Sequence, residues 1–113
     1  MEEVEFIAFQ IIAPVGTARS LYIDAIQEAK QGNIEQARQM IREGEQSFVE
    51  GHKAHAGLIQ KEASNEVVTL NLILMHAEDQ LMSSELFKVI AEEFIEIHEQ
   101  FADLQKRLTN LEN

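Results

Sequence analysis

The stretch Leu70 to Ser84, LNLILMHAEDQLMSS, decides how this chain is read. Alternating steps of three and four from Ile73 give His76, Gln80, Ser83, Phe87, Ile90, Phe94, Ile97, Phe101, Leu104, Leu108 and Leu111. From Phe87 onward this is a continuous apolar stripe of the kind an α-helix buries. Its first third is polar. A second stripe, one position earlier, reads Leu72, Met75, Asp79, Met82, Leu86 and Val89, apolar except at Asp79. His76 and Asp79 are three apart and so share a helix surface. A polar group in a buried seam costs stability unless it is satisfied, so both residues call for a reason.

Outward from this stretch the chain reads as three long helices, over about 4–31, 34–63 and 69–111, in a single domain spanning 1–113. In the first helix Pro14 removes the bond to the carbonyl of Gln10, which predicts a kink between Gln10 and Gly16. Gly32 suits the left-handed position that closes this helix. Asn33 is then placed to cap the second helix, with Gln36 completing a capping box. The second helix has a seam at Ile34, Ala37, Ile41, Gly44, Phe48, Gly51, His55 and Leu58, whose glycines admit a close neighbour. Val67-Val68 reads as extended, and the third helix begins at Thr69 or Leu70. Short connections force antiparallel neighbours, giving an all-α, antiparallel up-down-up three-helix bundle. Of the two apolar stripes on the third helix, one serves the bundle core. The other needs a partner, read here as another copy of the chain.

Composition narrows the function. The chain has 113 residues and no cysteine, which excludes disulfides, thiolate catalysis and cysteine-ligated zinc. Twenty acidic residues against nine basic ones give a formal charge of −11, which disfavours nucleic acid and suits a partner with a basic face. The opening MEEVE and the interrupted apolar runs predict neither a signal peptide nor a membrane span, and hence a cytoplasmic protein.

The candidate chemistry lies among His52, His55, His76 and His98. With a hairpin turning near Glu66, His76 falls opposite Ala56, beside His55, and Gln80 falls opposite His52. Three histidines and Asp79 are then expected at one end of the bundle. Three readings compete. A di-iron bundle needs Glu-x-x-His, but the residues three before the four histidines are Val49, His52, Ile73 and Ile95, so this reading is poor. Phosphoryl relay needs a neutral imidazole on a rigid helix, open at one edge; His76 fits, with Gln80 and Ser83 one and two turns on as donors to phosphate. The third reading is a non-catalytic acidic helical-bundle scaffold or metal-binding trimer with no relay.

The motif HAEDQLM at His76 to Met82 resembles the HAQDHLM or HGQDHLM core of the lactose/cellobiose-specific enzyme IIA family of the bacterial phosphoenolpyruvate-dependent sugar phosphotransferase system. GTARS (Gly16 to Ser20), AKQGN (Ala29 to Asn33), His52 with LIQKEA (Leu58 to Ala63) and IEIHE (Ile95 to Glu99) resemble further segments of that family. The resemblance implies a homotrimer of three-helix subunits. His76 would accept a phosphoryl group from phospho-HPr and pass it to a cysteine of the cognate IIB protein, for uptake of a β-linked disaccharide through IIC. Asp79 would meet its symmetry mates on the trimer axis and hold a divalent metal ion, Mg2+ by preference, with no organic cofactor. Gln80, Ser83 and His52 would form the surroundings of the phosphoryl group. Gln80 stands where the family has histidine, Glu78 where it has glutamine, and His55 replaces a glutamine; Glu78 is expected to add negative charge within a turn of His76.

Overall fold

Two helix closures set the topology. Gly32 sits at φ +89°, its N–H donating to the carbonyl of Ala29 (3.0 Å) while the N–H of Asn33 donates to Glu28 (2.9 Å). This pair of bonds ends a helix on a left-handed residue. Asn65, at φ 65°, repeats the arrangement: its N–H donates to Glu62 (3.1 Å) and that of Glu66 to Lys61 (3.1 Å). Asparagine is one of the few side-chain-bearing residues that tolerate this conformation. The computed structural model, which describes residues 3–113, accordingly contains α1 (Glu3–Lys30), α2 (Ile34–Ala63) and α3 (Leu72–Glu112), with no strand among the described residues.

Two local expectations are corrected. Asn33 precedes α2, but its side chain makes no capping bond; Nδ2 donates instead to Glu28 Oε2 (2.8 Å). Its backbone is already committed to closing α1, at a φ/ψ of −87°/67° outside the extended region a capping residue adopts. The third helix begins at Leu72, later than Thr69 or Leu70, because Asn71 is extended and its Oδ1 accepts from the N–H of Leu74 at 2.9 Å. As expected, Pro14 lies inside α1, which runs unbroken from Glu3 to Lys30.

The larger correction concerns the core. The residues α3 buries are Leu74, Ala77, Leu81, Ser84, Ala91 and Ile95, a seam that belongs to neither stripe read from the sequence. Small residues line it, and α1 answers with Ala8, Ala18, Ala25 and Ala29, α2 with Ala37, Gly44 and Gly51. The helices meet over small side chains, so the bulkiest apolar residues of α3 do not mark its inner face. The stripe from Ile90 through Phe94, Ile97, Phe101, Leu104 and Leu108 is exposed, and so is the one through Leu72, Met75, Met82, Leu86 and Val89.

Where large side chains enter the core, glycines make room. A Cβ on Gly44 would stand 2.5 Å from Cε1 of the fully buried Tyr22, and one on Gly51 would stand 2.7 Å from Val15 Cγ1 and 3.2 Å from the Ile11 carbonyl oxygen. α1 and α2 share the most extensive interface, and α2 and α3 the least. By length and composition α1 could cross a membrane, a property the sequence reading did not assign to it. Here its apolar residues Ile11, Val15 and Tyr22 form the centre of the bundle, as in the core helix of a helical bundle. α3 outruns its partners: every residue from 103 onward is exposed, and the molecule is 69 Å long.

Candidate functional site

His76 stands in the second turn of α3, just past the Asn71 cap. Leu74, Ala77 and Leu81 are almost wholly buried on the opposite side and pin this part of the helix to the bundle. The imidazole itself is exposed. A fixed backbone with an open ring is what a nucleophilic or phosphate-carrying histidine needs if a large partner is to reach it.

Gln80, one turn on, is half-buried, and its Oε1 accepts from Arg19 Nη1 of α1 at 3.0 Å. Ser83 is half-buried as well. Its neighbour Ser84 is the serine turned fully inward, donating to the carbonyl of Val15 at 2.8 Å. Asp79 is exposed, in the middle of the exposed Leu72, Met75, Met82 and Leu86 stripe, and has no cationic partner within 4 Å among the described residues.

His55 Nε2 meets both carboxylate oxygens of Glu78, at 2.7 and 2.9 Å. His52 is exposed, lies against Phe48 (6.1 Å between ring centroids) and lines a cleft with Tyr22, Glu45, Glu85 and Lys88. His98 stacks on Phe94 at the far end. Within one chain, no three His, Asp or Glu side chains converge on a metal position among the described residues. The hairpin register expected from a turn near Glu66 was close, since it set His55 opposite the right turn of α3. It is Glu78, facing α2, that His55 meets there; His76 points elsewhere because side chains two apart on a helix diverge.

Arg19 entered the sequence reading only as part of the GTARS segment, with no role assigned to it. A signal was present: it is the one charged residue between Phe6 and Ile23, FIAFQIIAPVGTARSLYI. The marked electrostatic perturbations lie away from His76. Burial, with Glu45 and Glu92 nearby, pushes the Tyr22 phenol up to about 12. At the other end of the bundle, the bidentate Arg38 pair, at 3.0 and 2.8 Å, holds Glu99 below the usual carboxylate range.

This geometry can be set beside known proteins. Residues 6–99 match the family described as PTS system, Lactose/Cellobiose specific IIA subunit. The chain belongs to this family. It is 37% identical to the lichenan-specific phosphotransferase enzyme IIA component of Bacillus subtilis, over 90% of this chain and 93% of that one. Among solved structures, the cellobiose-specific enzyme IIA of Bacillus anthracis superposes with a TM-score of 0.89 at 35% identity, covering 91% of this chain and 94% of the other. The IIA(Chitobiose) of Escherichia coli, solved in complex with HPr, gives 0.76 at 33% identity, over 90% and 99%. As a IIA subunit of the lactose/cellobiose type, the chain carries the match through α1, α2 and the site-bearing part of α3, and the match ends before the last turns of α3.

Proposed function

We propose that this IIA subunit is a phosphocarrier in which His76 receives a phosphoryl group from phospho-HPr and hands it to a cysteine of its cognate IIB protein, for uptake of a β-linked disaccharide. The observation that carries this reading is the exposed imidazole of His76 on a helix pinned by Leu74, Ala77 and Leu81. In the transfer from HPr, the P–N bond to the donor imidazole breaks as the lone pair of a His76 ring nitrogen forms a new P–N bond. Each ring keeps the proton on its other nitrogen, so no proton has to move. Such a step needs positioning and charge screening more than covalent assistance. Relatives named for lichenan, cellobiose and chitobiose support a β-linked saccharide as the sugar. Relay between proteins that serve a membrane transporter places the chain in the cytoplasm.

The working form is a homotrimer built along α3. Its exposed apolar face is far larger than the scattered apolar residues of an ordinary monomer surface, which supports burial against copies of the chain. Copies meeting on the Leu72–Leu86 stripe bring their Asp79 carboxylates together. Hard oxygen donors that would otherwise repel suit a divalent cation such as Mg2+. Such an ion would neutralise the axis and act structurally, leaving phosphoryl transfer to the protein's own side chains.

Intact mass after incubation with phosphoenolpyruvate, enzyme I and HPr tests the assignment. One acid-labile phosphoryl group on the wild type and none on His76→Ala is the expected result. A wild type that gains none would leave the scaffold reading standing.

A further inference from the structure

Arg19 is a half-buried guanidinium whose one hydrogen-bonded side-chain partner is neutral, the Gln80 amide. In a chain with twenty acidic residues against nine basic ones, no carboxylate comes within 4 Å of it among the described residues. Of the eight other cations, Arg38, Lys61, Lys88 and Arg107 hold carboxylates, and Lys30, Arg42, Lys53 and Lys106, which hold none among the described residues, are exposed, so Arg19 is set apart by being half-buried. A guanidinium carries five N–H donors, and a half-buried one without an anion leaves its charge uncompensated.

The bond to Gln80 fixes more than Arg19. Arginine only donates, so the amide must turn its oxygen to the guanidinium, and its NH2 is left as the group presented elsewhere. Gln80 follows His76 by four residues, which puts the two side chains about 5–6 Å apart at their Cβ atoms on one helix surface. The imidazole is therefore flanked by an amide whose donor end is oriented by a cation from the neighbouring helix.

Resting on the phosphocarrier reading, we propose that Arg19 is a positioning residue for the phosphoryl group on His76. It locks Gln80 so that Nε2–H donates to a phosphoryl oxygen, and it sets an uncompensated positive charge behind that contact. The incoming dianion is the anionic partner Arg19 lacks. Hydrogen bonds to charged acceptors are about twice as strong as neutral ones, and they favour the phosphorylated state and the transfer to it.

The test uses the full chain with phosphoenolpyruvate, enzyme I and HPr, comparing wild type, Arg19→Lys, Arg19→Gln, Gln80→Ala and the Arg19→Gln/Gln80→Ala double variant, after thermal melts establish that each is folded. Arg19→Gln keeps a hydrogen-bonding partner for Gln80 and loses the charge. We expect it to slow transfer from phospho-HPr by about tenfold or more at saturating HPr, with little change in half-saturation. It should also shorten the phosphohistidine lifetime and move its 31P resonance. Arg19→Lys should recover most of the rate, and the double variant should be no slower than its slower parent, because Arg19 acts through Gln80. Wild-type rate, lifetime and resonance in both Arg19 variants would overturn the proposal while leaving the phosphocarrier reading intact. A wild type that accepts no phosphoryl group would remove both.

Discussion

Glu78 lies two residues from His76 in sequence, yet its carboxylate closes on His55 Nε2 of α2 at 2.7 and 2.9 Å. Because a carboxylate accepts, Nε2 must carry the proton in this contact, which fixes the tautomer of His55. The charge that the sequence sets beside His76 is thereby turned to the other side of α3 and satisfied there. Glu78→Gln should then leave the rate of phosphorylation of His76 within a factor of about three, since a charge held on the far side of the helix and screened by solvent acts weakly. Its effect on stability should be about 0–1 kcal/mol, because the pair is only half-buried. Single-turnover transfer from phospho-HPr measures the first and urea unfolding the second. A tenfold rate change would mean the carboxylate does reach the phosphoryl group.

The glycines of α2 divide into two kinds that look alike in sequence. Gly44 faces the Tyr22 ring and Gly51 faces Val15 and the backbone of Ile11, whereas nothing lies within 4 Å of a Cβ built on Gly57. Alanine at Gly44 or Gly51 gains helix propensity but forces a buried ring or backbone to move, a net loss of about 1–2 kcal/mol. Alanine at Gly57 should add about 0.5–1 kcal/mol. Chemical denaturation of the three variants checks the order, and a stabilised Gly44→Ala protein would contradict the close approach of α1 and α2.

The same packing bears on what could be read in the sequence. Three helices and their two closures were legible because glycine chemistry, apolar density and Asn-containing turns act locally. The inner face of α3 was not. Its seam of Leu74, Ala77, Leu81, Ser84, Ala91 and Ile95 is half made of small residues, and reading by hydrophobic size selects Phe94, Ile97 and Phe101, which stay exposed. His76 and Asp79 stood out because they break apolar stripes. Arg19 and the His55–Glu78 contact depend on which helix faces meet, which hairpin register alone does not specify.

Tyr22 gives the bundle a sensitivity to alkali. Its hydroxyl is buried without a hydrogen-bond partner among the described residues, and the phenol is pushed up to about 12. In the unfolded chain it ionises near 10. Between these values the unfolded state has lost a proton the folded state keeps, so stability is fully present below about pH 10 and falls as pH rises toward 12. The loss should be on the order of 2 kcal/mol. Tyr22→Phe removes the titration, so its melting temperature should decline less steeply over that interval. Equal slopes for the two proteins would show that Tyr22 ionises freely when folded.

Asp79 sits at the centre of an exposed apolar stripe formed by Leu72, Met75, Met82 and Leu86. If copies of α3 meet there, each association step brings carboxylates into a surface that loses water, and the like charges oppose it. Replacing Asp79 with leucine substitutes apolar burial for repulsion, and the assembly should survive or tighten. Its dependence on divalent cation should also vanish. Sedimentation velocity of the wild type and of Asp79→Leu, each with Mg2+ and with chelator, measures both effects. Wild type is expected to loosen on chelation while Asp79→Leu stays trimeric in either condition. An Asp79→Leu chain that sediments as a monomer would mean that this stripe is not the surface along which the copies assemble, and the exposed Ile90–Leu108 face would have to carry the contact instead.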